Sequence, residues 1–479
     1  MASTSASSSQ TSTAAIIGGG PVGCLAALGL AERGFSVTMY ESRSEAEAQA
    51  PSLRSINLAI STRGLAGLSS VSESLASDVL ARAVPMRGRM IHSQRGEQQS
   101  QRYGAEGECI HSVDRARLNR LLLERAQKHA RVEVVYEHKL RGLDLDAQPA
   151  QLTFAGAPGA RAADLVVGCD GMHSAVRDSV ARATTLDFAR EYIDSLYVEL
   201  SMPAAKPGQA SLQGGFVIDP HHLHIWPRHS FMLIALPNPD KTFTCTLFAP
   251  AHIFQHHLSD PTSTIAFFEQ HFADALPLIG RHAIVKDILS RKPSPLASVK
   301  AKPYHYADKA IFIGDAAHAM LPFYGQGLNC GFEDVRVLLQ LIDKHSSRQT
   351  NGTDVPHRTS DPKRALGPAL AEYSNTRHDD LVAICELAKN NYIEMSSKVI
   401  SRTYLLRKAL DTVLMSILPR SIWSSLYSMV TFSNLPYSQA RDRERRQAKV
   451  VEDGVAVLGV GTLALGLFAG VRTYERLAR

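Results

Sequence analysis

The residues best suited to chemistry near the start of the chain are glycines that follow a short apolar strand. Gly18, Gly20 and Gly23 form the pattern G-x-G-x-x-G directly after the apolar run 14–17. In such a turn the first glycine permits the tight bend, the second lets the backbone approach a pyrophosphate, and the third lets the next helix pack on the strand. A second strand ends at Glu41, whose carboxylate can accept hydrogen bonds from ribose hydroxyls. This order of elements predicts a dinucleotide site rather than a chance glycine turn.

Two later strands also end in an aspartate beside a glycine. One apolar strand leads into Asp170, and another leads into Gly314 and Asp315. A glycine-containing loop at 325–329 then precedes a further helical stretch, so a helix N-terminus again lies beside flexible backbone. Each element alone could be a plain strand end, and the strand that leads into Gly314 and Asp315 gives a second phosphate-side signal. There is no second G-x-G-x-x-G in the chain.

The composition restricts the class of protein. The chain has 479 residues, 44% hydrophobic and 20% charged, so it can bury a large cofactor and is not mainly disordered. Its net charge of +6 is small, and no basic helix with interleaved aromatics occurs, which argues against nucleic-acid binding. The six cysteines lie far apart without a C-x-x-C pair, so we expect them to be reduced and not to form a zinc site.

The C-terminal end differs from the rest of the chain. The segment 454–471 contains no charged residue and is flanked by basic residues on both sides. As a helix rising about 1.5 Å per residue it would nearly span a bilayer core, so the sequence predicts a transmembrane tail anchor, with a buried terminal helix as the alternative. Residues 1–12 have no features of a signal or transit peptide. We therefore expect a disordered start and a catalytic body that faces the cytosol.

Taken in this order, the glycine turn, the Asp-Gly turn and the Gly-Asp turn resemble the class A flavoprotein aromatic hydroxylases, whose fold is similar to that of p-hydroxybenzoate hydroxylase. The segments 53–59, 86–92, 222–228, 314–333 and 390–395 resemble the kynurenine-hydroxylating branch of that family. The resemblance covers nearly the whole chain from about residue 14. It implies an α/β fold with a Rossmann-like FAD-binding domain, an inserted β-sheet substrate domain, a C-terminal helical region and one C-terminal transmembrane helix.

The resemblance also implies a reaction. FAD would be the bound cofactor and NADPH the electron donor, and O₂ would hydroxylate L-kynurenine to 3-hydroxykynurenine through a flavin C4a-hydroperoxide. This step belongs to tryptophan degradation and de novo NAD biosynthesis. The family further implies a location at the mitochondrial outer membrane. No side chain is assigned as an acid or base, and no metal is expected.

Site residues are carried over from matching positions. The cofactor-binding set comprises Gly18, Gly20, Val22, Gly23, Tyr40, Glu41, Ser42, Arg43, Ala59, Arg115, Leu140, Asp170, Asp315, Gly327, Leu328 and Asn329. The substrate-binding set comprises Arg89, Tyr103, Asn391, Tyr427, Phe323 and Gln326. Because kynurenine carries an α-amino acid head, its pocket needs a fixed cation for the carboxylate, and Arg89 offers a bidentate fork. The alternatives are a surface arginine at 89 and a core aromatic at 427.

The expected domain division follows from the same comparison. The FAD-binding domain would comprise 13–80, 105–185 and 300–345, the substrate sheet 81–104 and 186–299, a polar loop 346–366, a helical cap 367–450 and the tail anchor 454–471.

Three alternatives remain open at this stage. The histidines at 221, 222 and 224 could bind a metal, but they alternate with apolar residues as in a strand with one polar face. The enzyme could be another class A hydroxylase or a membrane epoxidase. The chain could also be a non-catalytic flavin-fold protein that resembles the GDP-dissociation inhibitors of small GTPases.

Overall fold

The computed structural model describes residues 11–50, 57–104, 107–206, 213–348, 362–396, 409–411, 413–415 and 417–453. Its strands, in chain order, are β1 (Thr13–Ile17), β2 (Ser36–Tyr40), β3 (Leu58–Ile60), β4 (Val84–Met86), β5 (Gly88–His92), β6 (Gln98–Arg102), β7 (Ile110–Val113), β8 (Val132–Val135), β9 (Leu140–Asp144), β10 (Ala150–Phe154), β11 (Arg161–Ala163), β12 (Leu165–Gly168), β13 (Asp187–Met202), β14 (His222–Arg228), β15 (Phe231–Pro237), β16 (Phe243–Ala249), β17 (Ser294–Lys302), β18 (His305–Tyr306) and β19 (Ala310–Phe312).

The α-helices are α1 (Pro21–Ala31), α2 (Glu45–Gln49), α3 (Thr62–Ser69), α4 (Glu73–Leu80), α5 (Arg115–Lys128), α6 (Ala175–Ala183), α7 (Ala251–His256), α8 (Pro261–His271), α9 (Leu276–Ile279), α10 (Arg281–Ser290), α11 (Asp315–His318), α12 (Gly327–Arg348), α13 (Pro362–Ser396) and α14 (Leu426–Thr431). A further helical stretch covers 437–453.

The first sheet positions the glycine turn. Its six strands run in the order β18-β19-β12-β1-β2-β8, and β1 pairs in parallel with both β2 and β12. The chain leaves β1 through α1 toward β2 on one side, whereas β12 lies on the other side, so the strand order reverses at β1. In an open parallel sheet, ligands bind in the crevice at such a reversal, outside the carboxyl ends of the strands.

The second sheet has seven strands in the order β17-β13-β16-β15-β14-β5-β6 and is antiparallel except between β14 and β5. Its side chains alternate between two cores, as the two-residue period of a strand requires. Met232 and Ile234 of β15 join the main core beneath the first sheet. Leu233 and Ala235 join a separate core that includes apolar residues of helices α7 to α10. Both faces of β15 are therefore buried, and β5 is held in the sheet between β14 and β6.

Two three-stranded sheets, β3-β7-β4 and β11-β10-β9, complete the β structure of the described residues. Helix α12 contacts α1, α3 and α13, and it forms the layer behind the crevice. It extends to Arg348 and α13 begins at Pro362, while 349–361, within the expected polar loop, lie outside the described residues.

The predicted transmembrane helix is wrong for the structure as described, in which no helix is both long and apolar enough to cross a membrane. The long helices α12 and α13 contain charged residues such as Arg336, Arg377 and Asp380, which a lipid environment would disfavour. The segment 454–471, on which the prediction rested, lies outside the described residues. A lack of charge is a compositional signal and does not by itself determine a conformation.

Candidate active site

The glycine turn after β1 is shaped to receive a phosphate group. Gly18 has φ +105°, and an added Cβ there would lie 2.5 Å from the carbonyl oxygen of Cys169. A Cβ on Gly23 would lie 2.0 Å from the carbonyl oxygen of Gly18, so α1 packs directly on the turn. At Gly20 an added Cβ would meet nothing within 4 Å. The open backbone at Gly20 therefore faces free space at the N-terminus of α1, where the helix dipole stabilises an anion.

The carboxylate of Glu41 lies at the end of β2 and is buried. Its Oε2 accepts a hydrogen bond of 2.9 Å from the backbone N–H of Gly19, and its Oε1 accepts bonds of 2.9 Å from both the backbone N–H and the Nε of Arg43. The Ser42 hydroxyl lies 3.3 Å from Oε1. Burial alone would raise the pKa of Glu41, but these bonds, mainly from Arg43, hold it below its ordinary value. Glu41 is therefore a fixed carboxylate beside the turn.

Asp170 follows β12 and caps the next helix. Its Oδ2 accepts hydrogen bonds from the backbone N–H groups of Ala175 (2.7 Å) and Val176 (3.2 Å). Its Oδ1 is buried without a hydrogen-bond partner among the described residues. Burial raises the pKa of Asp170. An unsatisfied carboxylate oxygen of this kind favours a ligand hydroxyl as its partner.

Asp315 is exposed in the first turn of α11. The preceding residue, Gly314, has φ +61°, a conformation that favours glycine. Val22 packs against this turn and against α12, since a Cβ on Gly314 would lie 3.4 Å from Val22, and one on Gly331 would lie 2.6 Å from it. Arg177 donates from Nη1 to the carbonyl of Ala316 at 2.8 Å and so ties the Asp-Gly turn to the Gly-Asp turn. The strand ends predicted from the sequence thus converge on one crevice.

Asn329 fastens the glycine loop to β3. Its Oδ1 accepts from the backbone N–H of Ser61 at 2.9 Å, and its Nδ2 donates to the carbonyls of Ala59 and Gly325, each at 2.8 Å. The Asn329 side chain is therefore engaged with the backbone. It contributes to the crevice by fixing Ala59 against the loop that precedes Gly327 and Leu328.

Arg89 lies on β5 and is only 7% exposed. Its Nη1 donates to the Oε1 of Glu394 at 3.4 Å. The guanidinium carbon lies 5.2 Å from the ring centre of Tyr427 and 5.8 Å from that of Tyr103, and these two rings stack at 4.8 Å with an interplanar angle of 9°. Burial raises the pKa of Tyr103 to about 12, so its hydroxyl stays protonated at neutral pH. The result is a buried cation bordered by aromatic rings and one carboxylate.

A second group of side chains joins Arg89 to the crevice. Asn391 is buried and donates from Nδ2 to the carbonyl of Phe323 at 2.6 Å. The Phe323 ring lies 4.4 Å from that of Tyr392, and the Tyr324 ring stacks with Tyr427 at 6.1 Å. Phe323 and Tyr324 belong to the short loop between the Gly-Asp turn and α12. The Arg89 site and the dinucleotide crevice therefore share this loop.

The other predicted site residues, Arg115, Leu140 and Gln326, do not take part in the contacts described above. Arg115 is exposed at the start of α5, just after β7, which pairs with the strand that contains Ala59. Leu140 lies opposite Phe154, whose ring is 4.4 Å from that of Tyr40. Gln326 accepts a hydrogen bond of 3.1 Å from the Tyr437 hydroxyl, so its side chain is directed to the C-terminal region.

The histidines considered as a metal site are engaged with the protein. His222 contacts Asp219 Oδ2 at 2.8 Å and Ser100 Oγ at 2.8 Å. His224 contacts the carbonyl of Asp219 at 2.7 Å and His92 at 2.9 Å. The ring nitrogens of both residues are thus used in hydrogen bonds within the sheet.

Glu394 was not predicted as a site residue. It follows Asn391 by three positions on α13, and residues at this spacing share a helix face. That spacing, combined with the need to balance a buried arginine, was the signal available in the sequence.

Comparison with known proteins agrees with the geometry. The family model described as "FAD binding domain" matches residues 10–351. Kynurenine 3-monooxygenase of Mycosarcoma maydis is 42% identical, with 95% of this chain and 93% of the relative covered. The enzyme of the same name from Saccharomyces cerevisiae is 40% identical, with 98% and 99% covered.

Solved structures of similar fold are more distant in sequence. 2-Methyl-3-hydroxypyridine-5-carboxylic acid oxygenase has a TM-score of 0.63 at 20% identity, with 83% of this chain and 95% of the other covered. HpxO of Klebsiella pneumoniae, in complex with FAD and uric acid, has a TM-score of 0.60 at 18% identity, with 86% and 94% covered. At these identities the structures show the fold alone.

Fold and site together define an FAD-dependent monooxygenase with the α/β fold of the flavoprotein hydroxylases. The chain belongs to the kynurenine 3-monooxygenase family. The residues present fit FAD, because the open backbone at Gly20 and the N-terminus of α1 suit the pyrophosphate, Glu41 suits a ribose, and Asp170 has an unsatisfied oxygen for a hydroxyl. Family membership decides against the alternative of a non-catalytic GTPase regulator.

Proposed function

We propose that this chain hydroxylates L-kynurenine to 3-hydroxykynurenine, using NADPH and O₂ with FAD as the bound cofactor. The observation that carries the proposal is the ion pair between the buried Arg89 and the partly exposed Glu394, beside the Tyr103 and Tyr427 rings. The pair offers one cation and one anion to the same ligand. A zwitterionic α-amino acid head carries the complementary two charges.

The two charged side chains have separate tasks. The guanidinium of Arg89 binds the substrate carboxylate through a planar fork, and its position is set by β5 within the seven-stranded sheet. Glu394 accepts hydrogen bonds from the α-ammonium group. Because Arg89 is almost fully buried, its bond to the carboxylate is stronger than it would be at the surface, whereas a third of the Glu394 side chain is exposed.

The aromatic end of the substrate requires an apolar slot. Phe323 and Tyr324 are buried on the loop shared with the crevice, and Phe248 and Tyr392 pack against Phe323. When bound, reduced FAD would activate O₂ so that one oxygen atom of O₂ is transferred to the ring. The ring amino group donates electron density to its ortho carbon. The tasks of the protein are therefore to position that carbon and to exclude water.

The test is an anaerobic titration of the purified yellow protein with NADPH, with and without kynurenine, followed by product analysis after air is admitted. We expect kynurenine to accelerate flavin reduction and 3-hydroxykynurenine to form in proportion to the NADPH oxidised. The absence of this product would refute the proposal.

A different aromatic substrate is the second candidate, because hydroxylases that share the fold act on other rings. An aromatic acid without an α-amino group leaves Glu394 without a partner, so phenol- or salicylate-type substrates should neither accelerate NADPH oxidation nor be hydroxylated. Efficient turnover of such a substrate would favour this candidate.

The mitochondrial outer membrane remains a predicted location, which cell fractionation would test.

A further inference from the structure

A buried carboxylate on α12 lies directly behind the Gly-Asp turn. Asp334 is 0% exposed. Its Oδ2 accepts hydrogen bonds from the backbone N–H of Gly314, at 3.1 Å, and from the Nε2 of His318. Its Oδ1 accepts from the Nε of Arg377 at 3.1 Å. One side chain therefore holds the first residue of the turn, a histidine one helical turn later, and an arginine on α13.

The charges in this cluster stabilise one another. Burial disfavours the ionised form of Asp334, but the His318 and Arg377 cations and the Gly314 N–H hold its pKa below the ordinary value. Burial likewise disfavours the charged form of His318, yet Asp334 holds its pKa well above the ordinary value. Both groups are therefore ionised at neutral pH. The guanidinium of Arg377 also lies 3.6 Å from the Cys330 sulfur, so a metal cation among His318, Cys330 and Asp334 would be repelled.

The cluster is itself anchored on two helices. Arg377 donates from Nη2 to the Oε2 of Glu333 at 2.6 Å, and Arg63 donates to the Oε1 of Glu333 at 2.5 Å. Each ion thus has a charged partner, as buried ions require. Asp334 consequently has little freedom to move relative to α12 and α13.

The turn held by Asp334 needs an external restraint. Gly314 has φ +61° and ψ −144°, and the helix that follows has only four residues. The Gly314 carbonyl accepts from the N–H groups of Ala317 (2.8 Å) and His318 (2.9 Å), so α11 fixes the carbonyl side of the residue. The bond from the N–H to Asp334 fixes the other side. The direction in which Asp315 leaves the turn depends on both.

We propose that Asp334 is a positioning residue for FAD: by holding the Gly314 N–H it sets the orientation of the Gly314–Asp315 turn that faces the cofactor. This inference rests on FAD binding at this edge of the sheet. It does not depend on which substrate is hydroxylated.

The test compares three variants by FAD dissociation constant, measured from flavin fluorescence during titration of apoprotein. Asp334→Glu keeps the charge required by His318 and Arg377 but moves the carboxylate away from the Gly314 N–H. His318→Gln alters the same buried cluster while the bond from Gly314 to Asp334 is kept. Asp343→Glu is a matched control, because Asp343 lies exposed on the same helix, in an ion pair with Arg33.

We expect Asp334→Glu to weaken FAD binding about tenfold or more, as loss of a charge-assisted hydrogen bond predicts, and the other two variants to bind FAD within about threefold of the unaltered protein. At saturating FAD, the Asp334→Glu protein should keep its KM for kynurenine, because Arg89 and Glu394 are untouched. Unchanged FAD affinity in Asp334→Glu, or an equal loss in His318→Gln, would overturn the inference.

A measurement on the unaltered chain keeps the inference testable if Asp334→Glu fails to fold. Hydrogen exchange of the single Gly314 amide in the apoprotein, followed by NMR, should be as slow as that of the buried part of α12, because the Gly314 N–H is already held by Asp334. Fast exchange there would overturn the inference. If FAD binds as described but no hydroxylated kynurenine forms, the proposed function fails while this inference stands.

Discussion

The guanidinium of Arg89 and the carboxylate of Glu394 are 305 positions apart in the chain but 3.4 Å apart in space. One lies on a strand of the seven-stranded sheet and the other on the helix that covers it. The pair lies beside the Tyr103 and Tyr427 rings, next to the loop shared with the FAD crevice. Because the Arg89 guanidinium is buried and its strand lies inside the sheet, the cation is in place before the substrate arrives.

Replacement of Glu394 by Gln should weaken the contact to the substrate ammonium. We expect KM for kynurenine to rise about tenfold, consistent with the loss of a hydrogen bond to a charged group, while the FAD dissociation constant is unchanged. The matched control is Glu386→Gln, which removes a similarly exposed partner of Arg441 from the same helix. Equal kinetics for the Glu394→Gln and Glu386→Gln proteins would contradict the role of Glu394.

The Tyr103 ring should matter more than its hydroxyl. Tyr103→Phe keeps the stack with Tyr427 and the contact with the Arg89 cation, so KM should change less than about threefold. Tyr103→Ala removes both and should raise KM roughly 30-fold, since such aromatic contacts contribute about 1 kcal/mol each. Steady-state kinetics at saturating FAD would measure this. A Phe variant as impaired as the Ala variant would show that the hydroxyl is the essential group.

Gly20→Ala should separate cofactor binding from folding. Gly20 has φ −76° and ψ 175°, which alanine adopts without strain, and its added Cβ would meet no protein atom. The apoprotein should therefore unfold at the same temperature as the unaltered one, but FAD should bind at least about tenfold more weakly because the Cβ occupies the pyrophosphate space. Gly23→Ala is the contrasting variant, and it should destabilise the apoprotein because its Cβ would clash with Gly18. Normal FAD affinity in Gly20→Ala would place the pyrophosphate elsewhere.

His224 should make the protein less stable at mildly acidic pH. Burial lowers its pKa from 6.5 to about 3, so the folded state binds fewer protons than the unfolded state between these values. The stability that neutral His224 provides is complete above about pH 6.5 and is lost as the pH falls through that window. Thermal unfolding from pH 7 to pH 4 should show a shallower decline in His224→Gln than in the control His222→Gln. Parallel declines would contradict this assignment.

The sequence was most informative about the parts of the site that depend on a short local motif. The three strand ends predicted to hold the dinucleotide do converge, because carboxyl ends of parallel strands meet at one edge. The Asn329 amide holds backbone, a role that depends on the partner strand and leaves no local signal, and its contact to the flavin stays a prediction. Gln326 accepts a hydrogen bond from Tyr437, 111 positions away, and its contact to the substrate likewise stays a prediction.

The sequence could not predict side chains whose role depends on a partner far away in the chain. Glu394 and Asp334 are ordinary acidic residues of helices until packing brings Arg89 to one and Gly314 to the other. The predicted transmembrane helix was wrong for a different reason: it rested on the length, lack of charge and basic flanks of 454–471, and no helix of the described residues is long and apolar enough to cross a membrane.

The most direct test of the account compares kynurenine with the corresponding amine that lacks the carboxylate, in the unaltered protein and in Arg89→Met. Dissociation constants follow from the flavin spectrum during anaerobic titration. The unaltered protein should bind kynurenine roughly 30-fold more tightly than the amine, because a buried charged pair contributes about 2 kcal/mol or more. Arg89→Met should bind the two compounds almost equally. If Arg89→Met still binds kynurenine roughly 30-fold more tightly than the amine, the claim that Arg89 holds the substrate carboxylate is contradicted.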